Sequence, residues 1–473
     1  MKKNVALLGL AILVVSLLAI GLKRETPVWD SFKNPETAKM LKQFTALKEA
    51  QARAATNALP AEINSLFKAA NRGEWLSLSN AFWQIGERNG NFYHPPKVHG
   101  RIWTAVEQFV TDLRDKIGWK KVVYEDRLRG TPWEAVKEVW GAFDNFIIGD
   151  EKYSAEFGRE IIDSIPAGSI YFGGTDPGRF IVTAMCKSQP QGDPFFVLTQ
   201  NALADGTYLD YLRSMYGIKI YIPTPTDSSD CFQEYARSKT TGTAGSTITI
   251  SGQVDVMNIN GLIVKTVFDH ETNREFFIEE SFPLDWMYPY LEPHGLIFKL
   301  NWQPLTELSE EIIQRDHDYW RKSLEPKIGG WLTNETSVET VAAFAKKIFL
   351  QRDLAGFTGD VRFVQNDYTC KMFSKERSSI AGLYAWREQN TTNAGEKKRM
   401  NDAADFAFRQ ALAICPYSPE VVFRYVNLLL REHREADALL IAETASKFPS
   451  TLGSDVAQFE NLANQLKQYQ HNK

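Results

Sequence analysis

Ser169-Ile170-Tyr171-Phe172-Gly173-Gly174-Thr175-Asp176-Pro177-Gly178, continuing into Arg179 to Lys187, is the stretch whose reading decides the architecture. A short β-prone run enters a glycine turn and leaves it as a helical pattern. Thr175 or Asp176 can cap that helix, because a short oxygen-bearing side chain accepts from the first free N–H groups, and Pro177 suits the first helical position. A second strand, Phe195 to Thr199, leads through Gln200 to Gly206 into a helix over Thr207 to Met215. Ile218 to Ile222 reads as a third strand, Glu275 to Ile278 as a fourth and Gly295 to Leu300 as a fifth, with a short helix over Leu284 to Leu291. Apolar strands separated by helices imply a parallel sheet with right-handed crossovers. The expectation is a Rossmann-like parallel-sheet α/β domain over 151–305. Between its strands, Thr224 to Gln253 reads as a Ser/Thr/Gly-rich loop with a short helix at Ser229 to Arg237. Thr247 to Ser251 and Leu262 to Phe268 read as a hairpin beside the sheet.

On either side the pattern is helical. Within 25–150, Ala38 to Ala55, Ala61 to Asn71, Arg101 to Ile117 and Pro132 to Phe143 space apolar residues by three and four, as packed helices require. The region 306–473 has apolar faces over Ser337 to Leu354 and Ser378 to Gln389. It then shows a 33-residue spacing from Pro416 to Pro449 that resembles tetratricopeptide repeats. Ala404, Phe408, Ala411 and Pro416 occupy the small, aromatic, small and proline positions of that motif; Asp437, Ile441 and Thr444 depart from it in the next unit. A fold of mixed class follows: α/β plus all-α.

The amino terminus, 1–24, reads as a transmembrane signal-anchor. Val5 to Leu22 is apolar, flanked by Lys2, Lys3, Lys23 and Arg24, and as a helix it would reach about 27 Å, close to a bilayer core. Only Ala19-Ile20-Gly21 resembles a cleavage site, so the segment is expected to stay, with the body outside the cytoplasm. Cys186, Cys231, Cys370 and Cys415 lack CxxC spacing and read as buried free thiols. The 473 residues carry 54 Lys and Arg against 58 Asp and Glu, a net charge of -4, and no basic stripe, which excludes nucleic acid as the expected partner.

Ligands of open parallel sheets bind beyond the carboxyl ends of strands, where helix N-termini offer free N–H groups. The candidate ligand-binding residues are therefore Gly173, Gly174, Thr175, Asp176 and Gly178 from the first turn, with Asn201 and Asp205 from the second. No full GxGxxG or GxxxxGK[ST] motif is present, and a capped strand-to-helix turn is the plainer reading. No cofactor or metal is expected. His94 and His99 flank Pro95-Pro96; Asp316-His317-Asp318 reads as a solvated helix face. Glu279-Glu280 follow a strand, one outward and one inward. Trp286, Tyr288 and Tyr290 read as core packing rather than a sugar groove.

Taken as a set, Ile165 to Asp176, Leu198 to Asp205 and Glu292-Pro293-His294-Gly295-Leu296 look like an uncharacterised bacterial family. It is similar to the extramembranous carboxyl-terminal part of protein O-mannosyltransferase-like membrane proteins, where a small α/β domain precedes tetratricopeptide-like helices. The resemblance spans roughly 150–450 and implies kinship of an accessory module rather than transferase activity. Two functions are expected to compete. One is a membrane-anchored interaction protein that holds a protein partner through its carboxyl-terminal helices, with a small-molecule ligand allowed in the α/β cleft. The other is an enzyme acting on a glycan or nucleotide-sugar, with Asp176 and Asp205 as its carboxylates.

Overall fold

The two strands that flank the first glycine turn lie side by side and point the same way. β1 (Ile170–Gly173) pairs in parallel with β2 (Phe196–Thr199), Ile170 facing Phe196 and Gly173 facing Thr199. The computed structural model describes residues 27–89, 125–187, 192–240, 253–280, 283–449 and 455–471. On the other side β1 pairs in parallel with β3 (Phe276–Glu279). There the direction reverses: β5 (Ile297–Leu300) is antiparallel to β3 and to β4 (Leu291–His294). The sheet has five strands in the order β2-β1-β3-β5-β4. A two-residue turn joins β4 to β5, and its first residue, Gly295, has φ 64°, a left-handed conformation that glycine adopts without strain.

The expected Rossmann-like parallel sheet is thus corrected to a small mixed one, because β4 and β5 form an antiparallel hairpin, and the absence of the expected strand at Ile218 to Ile222 has its reason at the β2 edge. Tyr216 accepts the Val197 N–H at 3.0 Å and donates to the Val197 carbonyl at 3.1 Å, while Tyr208 accepts the Thr199 N–H at 2.7 Å. With those main-chain groups satisfied by hydroxyls, the edge does not call for another strand. Ile218 to Ile222, read as that strand, forms turn and coil instead, with Ile218 fully exposed. Leu262 to Phe268 is also corrected, from strand to helix. Thr247 to Ser251 lies outside the described residues, as do Arg101 to Ile117, His94 and His99.

The helices begin with α1 (Pro35–Ala54), capped by the Asn34 side chain, α2 (Ala61–Asn71) and α3 (Trp75–Arg88). α4 (Thr131–Ile148) and α5 (Glu151–Ser164) lead into β1; α6 (Asp176–Lys187) and α7 (Gly206–Tyr216) follow β1 and β2. α8 (Pro225–Thr240) and α9 (Gln253–His270) pack together before β3. After the sheet come α10 (Glu310–Ile328), α11 (Val338–Ala345), which runs into a π turn, and the short α12 (Val361–Val364). α13 (Asp367–Asn390), α14 (Ala394–Ile414), α15 (Pro419–Arg431), α16 (Glu435–Ala445) and α17 (Val456–His471) close the chain as consecutive packed helices. Ala404, Phe408 and Ala411 are buried in α14, where helices approach closely.

One hydrophobic cluster runs from Val28 to Leu466. α1 and α4 carry the amino-terminal helices onto α6 of the α/β unit. At that junction the buried Lys48 ammonium is ion-paired to Glu138 and donates to the Tyr211 hydroxyl, which itself donates to Glu138 at 2.6 Å. A buried ammonium must find such partners, because leaving water is costly.

The anchor expected over Val5 to Leu22 lies outside the described residues, and among those described no helix is long and apolar enough to cross a membrane. The longest, α13, has 24 residues, but Lys371, Lys375, Glu376, Arg377 and Arg387 interrupt it. The structure therefore gives no support to a transmembrane element or a single-pass placement. The fold is corrected to a mostly helical protein built around one mixed sheet.

Candidate sheet-edge site

The carboxyl ends of β1, β2 and β3 meet at the turn singled out in the sequence. Glu279, the last residue of β3, turns its carboxylate back across that turn. The carboxylate accepts from Gly174 N–H at 3.0 Å, from Thr175 N–H at 2.9 Å and from the Thr175 hydroxyl. A helix N-terminus attracts negative charge. Here the chain supplies the anion itself. The glycines follow from this placement: a Cβ on Gly178 would fall on the Glu279 carboxylate, and one on Gly174 would fall on the Glu280 carboxylate. Thr175 completes the turn by accepting the Gly178 N–H at 3.2 Å.

Above this edge lie α13 and α15. Glu376 of α13 is buried; burial first, and then the Glu279 charge, push its carboxyl well above the ordinary range. Ser379 donates to the Glu280 carbonyl at 2.6 Å, and Gln200 Nε2 reaches the Glu280 carboxylate at 3.4 Å. Lys375 is ion-paired to Glu420 of α15 at 3.2 Å. Arg424 of α15 donates to the Ser378 carbonyl at 3.3 Å. The edge at which doubly wound sheets bind ligands is sealed in this chain by its own polar side chains.

The expected site residues are arranged as follows. Asn201 Nδ2 donates to the Gly174 carbonyl at 2.7 Å, which ties the second turn to the first. Asp176 is exposed and ion-paired with Arg179 at 2.7 Å. Asp205 is exposed too, and caps α7 by accepting from Thr207 N–H at 2.9 Å. The acidic neighbours of the two aspartates differ. Asp176 acts on Asp144, and Asp205 on Glu134. Those two residues are ten apart on α4, or roughly 15 Å along its axis. Each carboxylate thus has its own local role, and nothing gathers the two around one reacting centre.

Several groups escaped the sequence reading. Asp144 is raised to about 7, chiefly by burial and then by Asp176. Glu279 and Glu280 are both buried, although strand alternation points only one inward. Glu376 sits in a helical pattern that carried no local motif. Asp316, read as solvated, is buried against Arg377 at 2.8 Å and accepts from the Tyr384 hydroxyl at 2.8 Å. Trp286 packs near Phe268 and donates to the Gly261 carbonyl at 3.0 Å, a core role. All four cysteines are buried and outside any disulfide. Among the described residues, no three His, Cys, Asp or Glu side chains are grouped to hold a metal.

A groove of about 490 Å³ lies elsewhere, between the carboxyl ends of α7 and α9. Arg213, Ile218, Ile220, Tyr221, Ile222 and His270 line it, with the Tyr221 and His270 rings stacked at 3.9 Å. Compared with protein families, curated proteins and solved structures, the chain matches none. The resemblance to O-mannosyltransferase-like proteins therefore rests on the quoted residues alone, and the comparisons supply neither a Rossmann nor a tetratricopeptide assignment.

Proposed function

We propose that this chain is a protein-interaction protein, a scaffold whose carboxyl-terminal helices hold a protein partner and whose α/β unit is structural. The observation that carries this reading is the sealed sheet edge: the Glu279 carboxylate fills the helix N-terminus that a phosphate or sugar-phosphate would need. The open groove adds to it, because exposed Ile218 beside Tyr221 and Arg213 is the side-chain chemistry of interface hot spots. Three tagged chains provide the test: the intact protein, one lacking 455–471, and one carrying Ile218→Arg. A stoichiometric partner held by the intact chain and lost without 455–471 supports the reading, and one lost only with Ile218→Arg moves the partner surface to the α/β unit and overturns it. A partner set unchanged in both variants overturns it.

The second reading, an enzyme acting on a glycan or nucleotide-sugar, draws on Asp144. A carboxyl that titrates near neutrality beside a second carboxyl, that of Asp176, suits acid–base work. A melting shift with a sugar nucleotide or a divalent cation, abolished by Asp176→Asn with Asp205→Asn, would favour it over the scaffold.

A further inference from the structure

We propose that the cavity between the carboxyl end of α10 and α14 is a binding site for a small neutral amide, with Gln410 at its floor donating to the ligand's carbonyl oxygen and Glu325 at its mouth accepting the ligand's N–H. The cavity holds about 170 Å³. Cavities of about 150 Å³ take a molecule the size of benzene, so the ligand has about six to eight non-hydrogen atoms. None of the lining residues belongs to the sheet edge or to the groove at Ile218.

The floor decides the chemistry. Gln410 is buried, at 2% exposure, and lines the cavity. Its Oε1 accepts from Arg377 Nε at 2.7 Å. A guanidinium only donates, so that contact fixes which end of the amide is oxygen and leaves the NH2 as the other end. Nε2 meets no acceptor among the described residues, yet it is not sealed from solvent. The accessible part of this buried side chain is therefore its pair of N–H donors. Donation from Arg377 to the oxygen polarises the amide and strengthens those N–H groups. Such a floor favours a carbonyl oxygen and rejects an ammonium, which can only donate.

Leu324, Ile328 and Leu332 supply the apolar wall. At the mouth Glu325 lies beside Gly330: a Cβ on Gly330 would sit 3.5 Å from Glu325 Oε1. That oxygen is placed to accept an N–H from the ligand. Arg321, the one cation among the lining residues, is paired with Asp318 at 3.1 Å, so a carboxylate would leave water without a cation of its own. A donor below, an acceptor above and carbon between them match an amide. The loop that carries Leu332 and Thr333 is held from outside. Arg409 of α14, itself bonded to Asp405 at 3.0 Å, donates to the Asn334 carbonyl at 3.0 Å and to the Thr336 carbonyl. A wall fixed in advance keeps the ordering cost of binding low.

Isobutyramide, isobutyrate and isobutylamine share one carbon skeleton and differ at the polar end. Titrating the full chain with each, followed by NMR through the side-chain NH2 signals of isotope-labelled glutamine, provides the test. Isobutyramide should move, saturably and in the millimolar range, the signal that Gln410→Glu lacks. The two ions should bind about tenfold more weakly or worse, the effect of one mismatched hydrogen bond. Gly330→Val narrows the mouth from an exposed position, and Glu325→Ala removes its acceptor. Weaker isobutyramide binding in either variant, with melting unchanged, supports the site, and loss of fold in one leaves the other decisive. No saturable shift at Gln410, equal affinity for either ion, or binding that both variants leave intact overturns it.

Discussion

The Tyr216 hydroxyl answers both main-chain groups of Val197, accepting from its N–H at 3.0 Å and donating to its carbonyl at 3.1 Å. A side chain on α7 thereby does what a neighbouring strand would do. Tyr216→Phe removes one oxygen and leaves two buried main-chain groups unpaired. Each such group costs about 1–3 kcal/mol, so the variant should lose about 2–4 kcal/mol by chemical denaturation. Amide exchange at Val197 should accelerate while that at Thr199, held by Tyr208, changes less. Equal acceleration at both would mean that the edge opens as a unit.

Gly178 and Glu279 form a second pair in which each explains the other. Gly178→Ala puts a methyl group where the Glu279 carboxylate sits, so the acid must leave its N–H donors or α6 must shift. A loss of about 3 kcal/mol or more is expected, in the range of overpacking combined with an uncompensated buried charge. Glu279→Ala alone should also destabilise. The double variant should lose clearly less than the sum, since the methyl then has room. Additive losses would show that the two residues act separately.

These pairs mark the boundary of what was legible in the residues. β1, β2 and the start of α6 announce themselves locally, through apolar runs and through the Thr175 cap. The α9 helix was legible only over a longer window: Ile259, Ile263, Val264, Val267 and Phe268 recur at helical spacing, whereas Leu262 to Phe268 alone looks β-branched and strand-like. The absent strand at Ile218 to Ile222 depends on tyrosine hydroxyls reaching across to β2, and no local pattern encodes that. Likewise, the glycine turn was readable as an anion cradle. Its occupant, a glutamate about a hundred residues later, came from tertiary structure, as did the burial of Glu376.

Asp144 supplies a pH prediction. Burial and the neighbouring Asp176 hold its carboxyl at about 7, above an ordinary value of 3.8. Raised in the fold, it keeps its proton while the unfolded chain ionises, so stability falls as pH rises from about 4 to about 7. Asp144→Asn should flatten that part of the melting profile. Carbon NMR of the Asp144 carboxyl should titrate near neutrality, and lower in Asp176→Asn. A midpoint unmoved by Asp176→Asn would leave burial as the sole cause.

Asp316 and Arg377 join α10 to α13 through an ion pair at 2.8 Å with both side chains wholly buried. Arg377 also donates to Gln410 of α14 at 2.7 Å, so three helices meet at one guanidinium. Asp316→Ala would strand that cation in the core and should cost about 3–5 kcal/mol. Asp316→Leu with Arg377→Met removes both charges and should recover most of the loss, because a buried pair mainly offsets its own desolvation. His317 reports on the same place. Burial, then the Arg377 charge, lower its pKa to about 4, so it stays neutral in the fold while the unfolded chain protonates near 6.5. Its contribution is present above pH 6.5 and is lost as pH falls toward 4. In the Leu/Met double variant the cation is gone, and the His317 titration followed by NMR should move upward. A midpoint that stays near 4 would mean that the opposing Arg377 and Asp316 charges offset each other at His317.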